Sequence, residues 1–160
     1  MNNVDFGNVS ELVAAIATIA TLAYVAIQIR QNTRALKSAS FHGVTDSFNQ
    51  INNTIAHDES LARIYRLGSQ DLGQLTDDER VRFSFLFLSA FRVHETLYYQ
   101  RRNRIGEVQL WEAEKATMVA LLSGPGTRAW WQANPLSFTP IFREFVAREI
   151  LPRVLETPDD

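Results

Sequence analysis

The sequence predicts an all-α protein in which one N-terminal transmembrane helix precedes a small cytoplasmic helical bundle. Three observations predict it. Residues 12–29 carry no charge, helical apolar stripes recur through the rest of the chain, and no segment shows the sustained alternation of a strand. The 160 residues suffice for one compact domain plus an anchor, and a charged fraction of 21% with 46% hydrophobic residues is that of a packed globular protein.

The stretch from Leu12 to Ile29 would span roughly 27 Å as a helix, close to a hydrocarbon core of about 30 Å. Its large aliphatics, Leu12, Val13, Ile16, Ile19, Leu22, Val25, Ile27 and Ile29, favour insertion by roughly 2 to 5 kcal/mol before the cost of Thr18, Thr21 and Gln28. Asp5 and Glu11 are the only charges before Arg30, and Arg34 and Lys37 follow it. An acidic leading segment with cations after the apolar run is the reverse of a cleavable signal peptide. The positive-inside rule then puts residues 1–11 outside as a short tail and the domain of residues 30–155 in the cytoplasm, with Arg30, Arg34 and Lys37 at anionic headgroups and a frayed tail at 156–160. Ala14, Ala17, Thr21, Tyr24 and Gln28 fall on one seam at spacings of three and four. Small residues and hydrogen-bonding side chains there suit a second transmembrane helix, in a homo-oligomer or a larger membrane complex. The competing reading is a soluble all-α homo-oligomer whose alanine-rich first helix is an assembly helix.

Beyond the anchor, Phe41, Val44, Phe48, Ile51 and Ile55 form one stripe that continues the first helix, with Gly43 as a point of bending. Asp58 is placed to cap a short helix ending near Gly68. Thr76 and Glu79 form a capping box that opens a helix through Phe83, Phe85, Leu86, Phe87, Leu88 and Phe91, apolar on all sides and closed by Gly106. Trp111, Met118 and Leu122 supply the next stripe, which ends at Gly124-Pro125-Gly126. Thr127 is placed to cap a turn bearing Trp130 and Trp131, and Thr139-Pro140 starts a last helix that stops near Pro152.

Chemistry-bearing patterns are sparse. With no cysteine, disulfides, thiolate nucleophiles and cysteine-ligated metals are excluded. A net charge of -2 gives no basic field for nucleic acid, and the arginines of residues 98–104 are better explained as cations opposing the partial negative charge of a helix C-terminus. His42 and His57 would stand roughly 22 Å apart on one straight helix, and His94 beside Glu95 has no metal-binding spacing. The pairs Glu59/Arg63, Asp78/Arg82 and Glu144/Arg148 have helix-stabilising i,i+4 spacing, while Glu112 and Glu114 point to different sides. Residues 123–127 lack a phosphate-loop pattern and read as a turn. Trp111, Trp130 and Trp131 are expected in the core, with a ligand pocket or the membrane interface as the alternatives. No catalytic set, cofactor or metal site is expected. The expected role is that of an accessory or scaffold subunit, and the rival is a ligand-binding module or enzyme using the tryptophan-rich C-terminal half.

Residues 24–34, the Ser-Ala-Ser-Phe-His stretch ending at His42, the Gly126–Trp131 segment and Phe142-Arg-Glu-Phe145 resemble an uncharacterised family of small bacterial helical proteins. The resemblance covers nearly the whole chain. It implies a bacterial inner-membrane setting with an anchor-like first helix, and it supplies no activity and no ligand residue.

Overall fold

A computed structural model of the chain describes residues 6–105 and 108–156. Among them every regular element is helical: α1 (Phe6–Ala56), α2 (Glu59–Gln70), α3 (Asp77–Arg102), α4 (Val108–Ser123), α5 (Pro125–Ala133), α6 (Pro140–Phe145) and α7 (Leu151–Glu156), with short 3-10 turns at Leu72–Gln74 and Pro135–Ser137. The all-α expectation holds. The chain divides into two units, residues 1–40 and 41–160.

In the first unit α1 is already helical from Phe6, ahead of the start expected at Leu12. It holds an 18-residue apolar window of which no part is buried, and it is the single described helix long and apolar enough to cross a membrane.

In the second unit, α3 is the central helix. Phe83, Phe87 and Phe91, spaced i,i+4, are fully or almost fully buried and form one row, whereas Phe85 is 64% exposed, so the helix is not buried on all sides as expected. Its start is the predicted capping box: Glu79 N–H donates to Thr76 Oγ1, and Thr76 N–H donates to Glu79 Oε2. Its end lies ahead of the expected Gly106, which falls outside the described residues. Asn103 is the C-cap, Arg104 takes the left-handed conformation with φ 59°, and Ile105 N–H donates to Gln100 O while Arg104 N–H donates to Arg101 O. That double bond pattern is a Schellman motif, which satisfies two orphan carbonyls without glycine.

Asp58 caps α2 as read, accepting from Leu61 N–H at 3.1 Å, but α2 continues past Gly68 to Gln70. The expected intrahelical pairs of Arg63 and Arg82 are replaced by bridges between α2 and α3, because both helices present these side chains to each other: Arg63 pairs with Glu79 and Arg82 with Asp58. Glu144 and Arg148 form the expected pair at 2.9 Å.

The Gly124-Pro125-Gly126 turn is also the start of α5. Gly124 is its N-cap and Pro125 its first residue. Thr127 does not cap α5. Its single hydroxyl proton is shared between Leu121 O and Gly124 O, 2.6 and 2.7 Å away, at the end of α4 instead. The C-terminal helical run does not stop at Pro152. It widens into a π-helical turn at Val146–Ile150, where Leu151 N–H reaches Val146 O, and α7 then carries the proline. A wider turn accommodates a ring that would meet the carbonyl four residues back in a regular α-helix.

α2 and α5 approach each other closely at Gly126. A Cβ on Gly126 would stand 1.9 Å from Gly68 O and 3.1 Å from Asp71 N, both backbone atoms that cannot swing aside. By contrast, a Cβ on Gly43 meets nothing within 4 Å. Gly126→Ala is therefore expected to destabilise the chain by about 3 kcal/mol or more. Gly43→Ala should stabilise it by up to about 1 kcal/mol through lower unfolded-state entropy. Denaturant unfolding of both variants measures this opposition in sign; shifts of the same sign would refute the tight packing of α2 on α5.

Candidate functional site: a cavity with an uncompensated carboxylate

A cavity of about 540 Å³ opens within the second unit. Three helices line it, each through a run of positions at helical spacing: Phe48, Ile51, Asn52 and Ile55 from α1, Leu86, Phe87, Ala90 and His94 from α3, and Glu114, Thr117 and Leu121 from α4. Tyr65 of α2 closes one side, its ring stacked on Phe87 at 5.8 Å between centroids. The walls are thus aliphatic and aromatic. Asn52 and Thr117 are exposed, while His94 and Glu114 are the imidazole and the carboxyl group of the lining.

His94 extends the phenylalanine row of α3 by three residues from Phe91, which is why its ring is inside. Phe48 and Phe91 flank it at 5.1 and 5.8 Å. It is fully buried, and neither ring nitrogen makes a hydrogen bond. Burial pushes the imidazole from 6.5 down to about 4, so the ring is neutral at pH 7. Glu114 brings Oε2 to 3.4 Å from His94 Nδ1, inside ion-pair reach but outside hydrogen-bond geometry, and its side chain is 15% exposed. Desolvation raises the Glu114 carboxyl above its usual range.

The neighbouring Glu95 does different work. Its Oε1 accepts from both Thr139 N–H and Thr139 Oγ1 at 2.8 Å, and its Oε2 accepts from Arg92 at 2.7 Å. A carboxylate of α3 thereby satisfies the start of α6, where Thr139 itself makes no side-chain cap. Tyr99 Oη lies 3.0 Å from Thr139 Oγ1 in the same network. Lys115, buried beside the core, reaches Glu112 at 2.8 Å and Glu149 at 3.8 Å on the outside of α4.

The residues singled out in the sequence lie elsewhere. Trp111, Trp130 and Trp131 are buried in the core, and none lines this cavity. Trp130 Nε1–H donates to Ser84 Oγ at 2.8 Å, and Trp131 stacks on Phe138 at 5.0 Å. Ala14, Ala17, Thr21, Tyr24 and Gln28 are exposed along α1, as are Arg30, Arg34 and Lys37. Two hydrogen bonds run within the seam: Thr21 Oγ1 donates to Ala17 O at 2.8 Å and Gln28 Nε2 to Tyr24 Oη at 2.6 Å. Among the described residues no three His, Asp or Glu side chains converge as a metal site would require. Comparison with protein-family models, with curated proteins and with solved structures finds no match.

Sequence spacing pairs Glu114 only with Glu112 and sets His94 only beside Glu95. Spacing puts His94 on the Phe87–Phe91 face of α3 and Glu114 on one face of α4 with Thr117 and Leu121, and only the packing of the two helices brings the pair together.

The buried imidazole makes stability depend on pH. Below pH 6.5 the unfolded chain takes up a proton that the folded His94 refuses until about pH 4. Stability present above 6.5 is accordingly lost on acidification through that window, by about 3 kcal/mol in total. Glu114 works in the opposite sense, since its raised carboxyl releases stability as pH rises through its folded value. His94→Leu removes the acid-side loss and leaves no orphaned ring nitrogen. Denaturant midpoints between pH 6.5 and 4 should fall steeply in the parent and far less in His94→Leu; parallel profiles would place the titrating group elsewhere.

Proposed function

We propose that this chain is a non-catalytic, single-span membrane protein whose helical unit acts as an accessory or scaffold subunit of a membrane complex. The observation that carries the reading is the 18-residue apolar window of α1, none of it buried against the chain itself. Its aliphatic side chains are between 44% and 66% exposed from Leu12 to Ile29. An apolar face of that extent needs cover, and lipid is one that the composition suits.

Two further features support lipid. Thr18 and Thr21 donate their hydroxyls to carbonyls four residues back, at 2.9 and 2.8 Å, so these polar groups do not enter hydrocarbon unpaired. The cations Arg30, Arg34 and Lys37 follow the apolar stretch on exposed positions, which orients the domain to the cytoplasmic side, at the inner membrane in the bacterial setting that the resemblance implies. The soluble rival covers the same face with further copies of the chain, and the seam of Ala14, Ala17 and Thr21 is compatible with either cover.

Membrane fractionation separates these readings. The full-length protein should sediment with membranes and resist alkaline carbonate; recovery in the supernatant after high-speed centrifugation without detergent would establish the soluble assembly instead. The seam is tested by bulk. Ala17→Leu and Thr21→Leu should weaken self-association or partner co-purification in mild detergent, while Ile16→Leu and Ile19→Leu should not, because only the first pair widens the small-residue face. Association unchanged in all four variants would remove the seam as an interface.

A further inference from the structure

Four described carboxylates are at least partly buried: Asp58, Glu79, Glu95 and Glu114. The first three each face an arginine, Arg82, Arg63 and Arg92 respectively. Glu114 faces only the fully buried ring of His94, and no lysine or arginine lines the cavity into which it opens. A carboxylate at the polar end of an apolar cavity, without a counter-ion, is an electrostatic vacancy of defined sign.

We propose that this cavity binds a protonated amine carried on an apolar body, with Glu114 as its counter-ion. The volume of about 540 Å³ lies within the range of small-molecule sites, roughly 300–1,000 Å³. Phe48, Tyr65 and Phe87 supply walls for a ring or a branched hydrocarbon. A primary ammonium has three N–H donors, and the cavity offers acceptors to match: the Glu114 carboxylate, with Thr117 and Asn52 on exposed positions at its edge. Neutral His94 stands behind Glu114 and adds no repulsion to a cation. An acid of the same shape would bring a second negative charge beside Glu114 and meet no cation, and an alcohol would leave the carboxylate uncompensated. The ordering amine, then alcohol, then acid follows from charge alone. It does not depend on whether α1 spans a bilayer, because every lining residue belongs to the second unit.

Three probes of one shape test it: phenethylamine, 2-phenylethanol and 3-phenylpropionate, titrated calorimetrically into the full-length chain. The chain is held in phosphatidylcholine nanodiscs, with empty nanodiscs as blank, or in plain buffer if it proves soluble. The amine should bind saturably, about tenfold or more tighter than the alcohol, with the acid weakest. Glu114→Gln, which keeps the shape, should bring the amine down to the alcohol's affinity and leave the alcohol unchanged. Ala90→Leu, which fills the cavity without altering charge, should weaken amine and alcohol alike. Equal affinity of amine and alcohol for the parent, an acid that binds best, undiminished amine affinity in Glu114→Gln, or no saturable amine binding up to about 10 mM would each overturn the proposal. Unfolding midpoints of both variants identify a variant that has failed to fold, and the comparison of the three probes on the parent decides the matter without them.

Discussion

The second unit is built around one row of side chains, Phe83, Phe87 and Phe91 on α3, and most of its other features follow from what each helix does to reach that row. Gly68 lets α2 lie directly on Phe83, since a Cβ there would meet the ring at 2.5 Å. Trp130 of α5 contacts both Phe87 and Phe91, and Phe138 packs on Phe91 at 6.0 Å. To reach Phe91, the segment holding Phe138 and the start of α6 must cross α3 near Glu95. The unsatisfied groups at that helix start are then met by a carboxylate 44 positions earlier in the chain. Burying three phenylalanines in one row is worth several kcal/mol, enough to hold such close approaches in place.

The same row explains why His94 is buried. One helical turn beyond Phe91 the stripe still points inward, and the residue found there is a histidine. A neutral imidazole without partners costs about 1–3 kcal/mol relative to a satisfied one, and a half-buried carboxylate beside it adds to that penalty. A phenylalanine or leucine at position 94 would serve packing better. Buried polar groups without partners call for a reason beyond packing; among the described residues these are His94, Glu114 and the Ser69 hydroxyl, of which the first two share one cavity. Here the contrast is internal, because the other partly buried carboxylates each have an arginine.

Local chemistry was legible in the sequence where it acts over a few residues. The capping box at Thr76 and Glu79, the cap at Asp58, the proline start of α6 and the 3-4 stripe from Val44 to Ile55 all rest on spacing within one or two turns. What escaped depends on tertiary neighbours. Arg63 and Arg82 had partners at i,i+4 and took interhelical ones instead, since α2 and α3 lie side by side with those faces together. Gly106 reads as the end of α3 because glycine is the usual left-handed residue, whereas Arg104 adopts that conformation within a Schellman pair of hydrogen bonds. Pro152 reads as a stop unless a π-helical turn ahead of it makes room. The cavity was hidden for a related reason: His94 and Glu114 sit on different helices, and no spacing rule links positions across a helix crossing.

The exposed N-terminal stretch of α1 obeys the same physical accounting as the cavity, with the opposite deficit. In the cavity a polar group lacks a partner; along α1 eight large aliphatic side chains lack an apolar one. In water, side chains half to two-thirds exposed over five turns would form a continuous apolar surface far beyond the scattered residues of a monomeric soluble protein. Burial inside an assembly would remove that surface as well as lipid does, so area alone does not discriminate. The proposed bilayer crossing rests instead on charge placement. A helix sheathed by other helices has no need for cations at one end only, whereas a bilayer crossing is oriented by them, and the step from an uncharged Leu12–Ile29 to Arg30, Arg34 and Lys37 is abrupt.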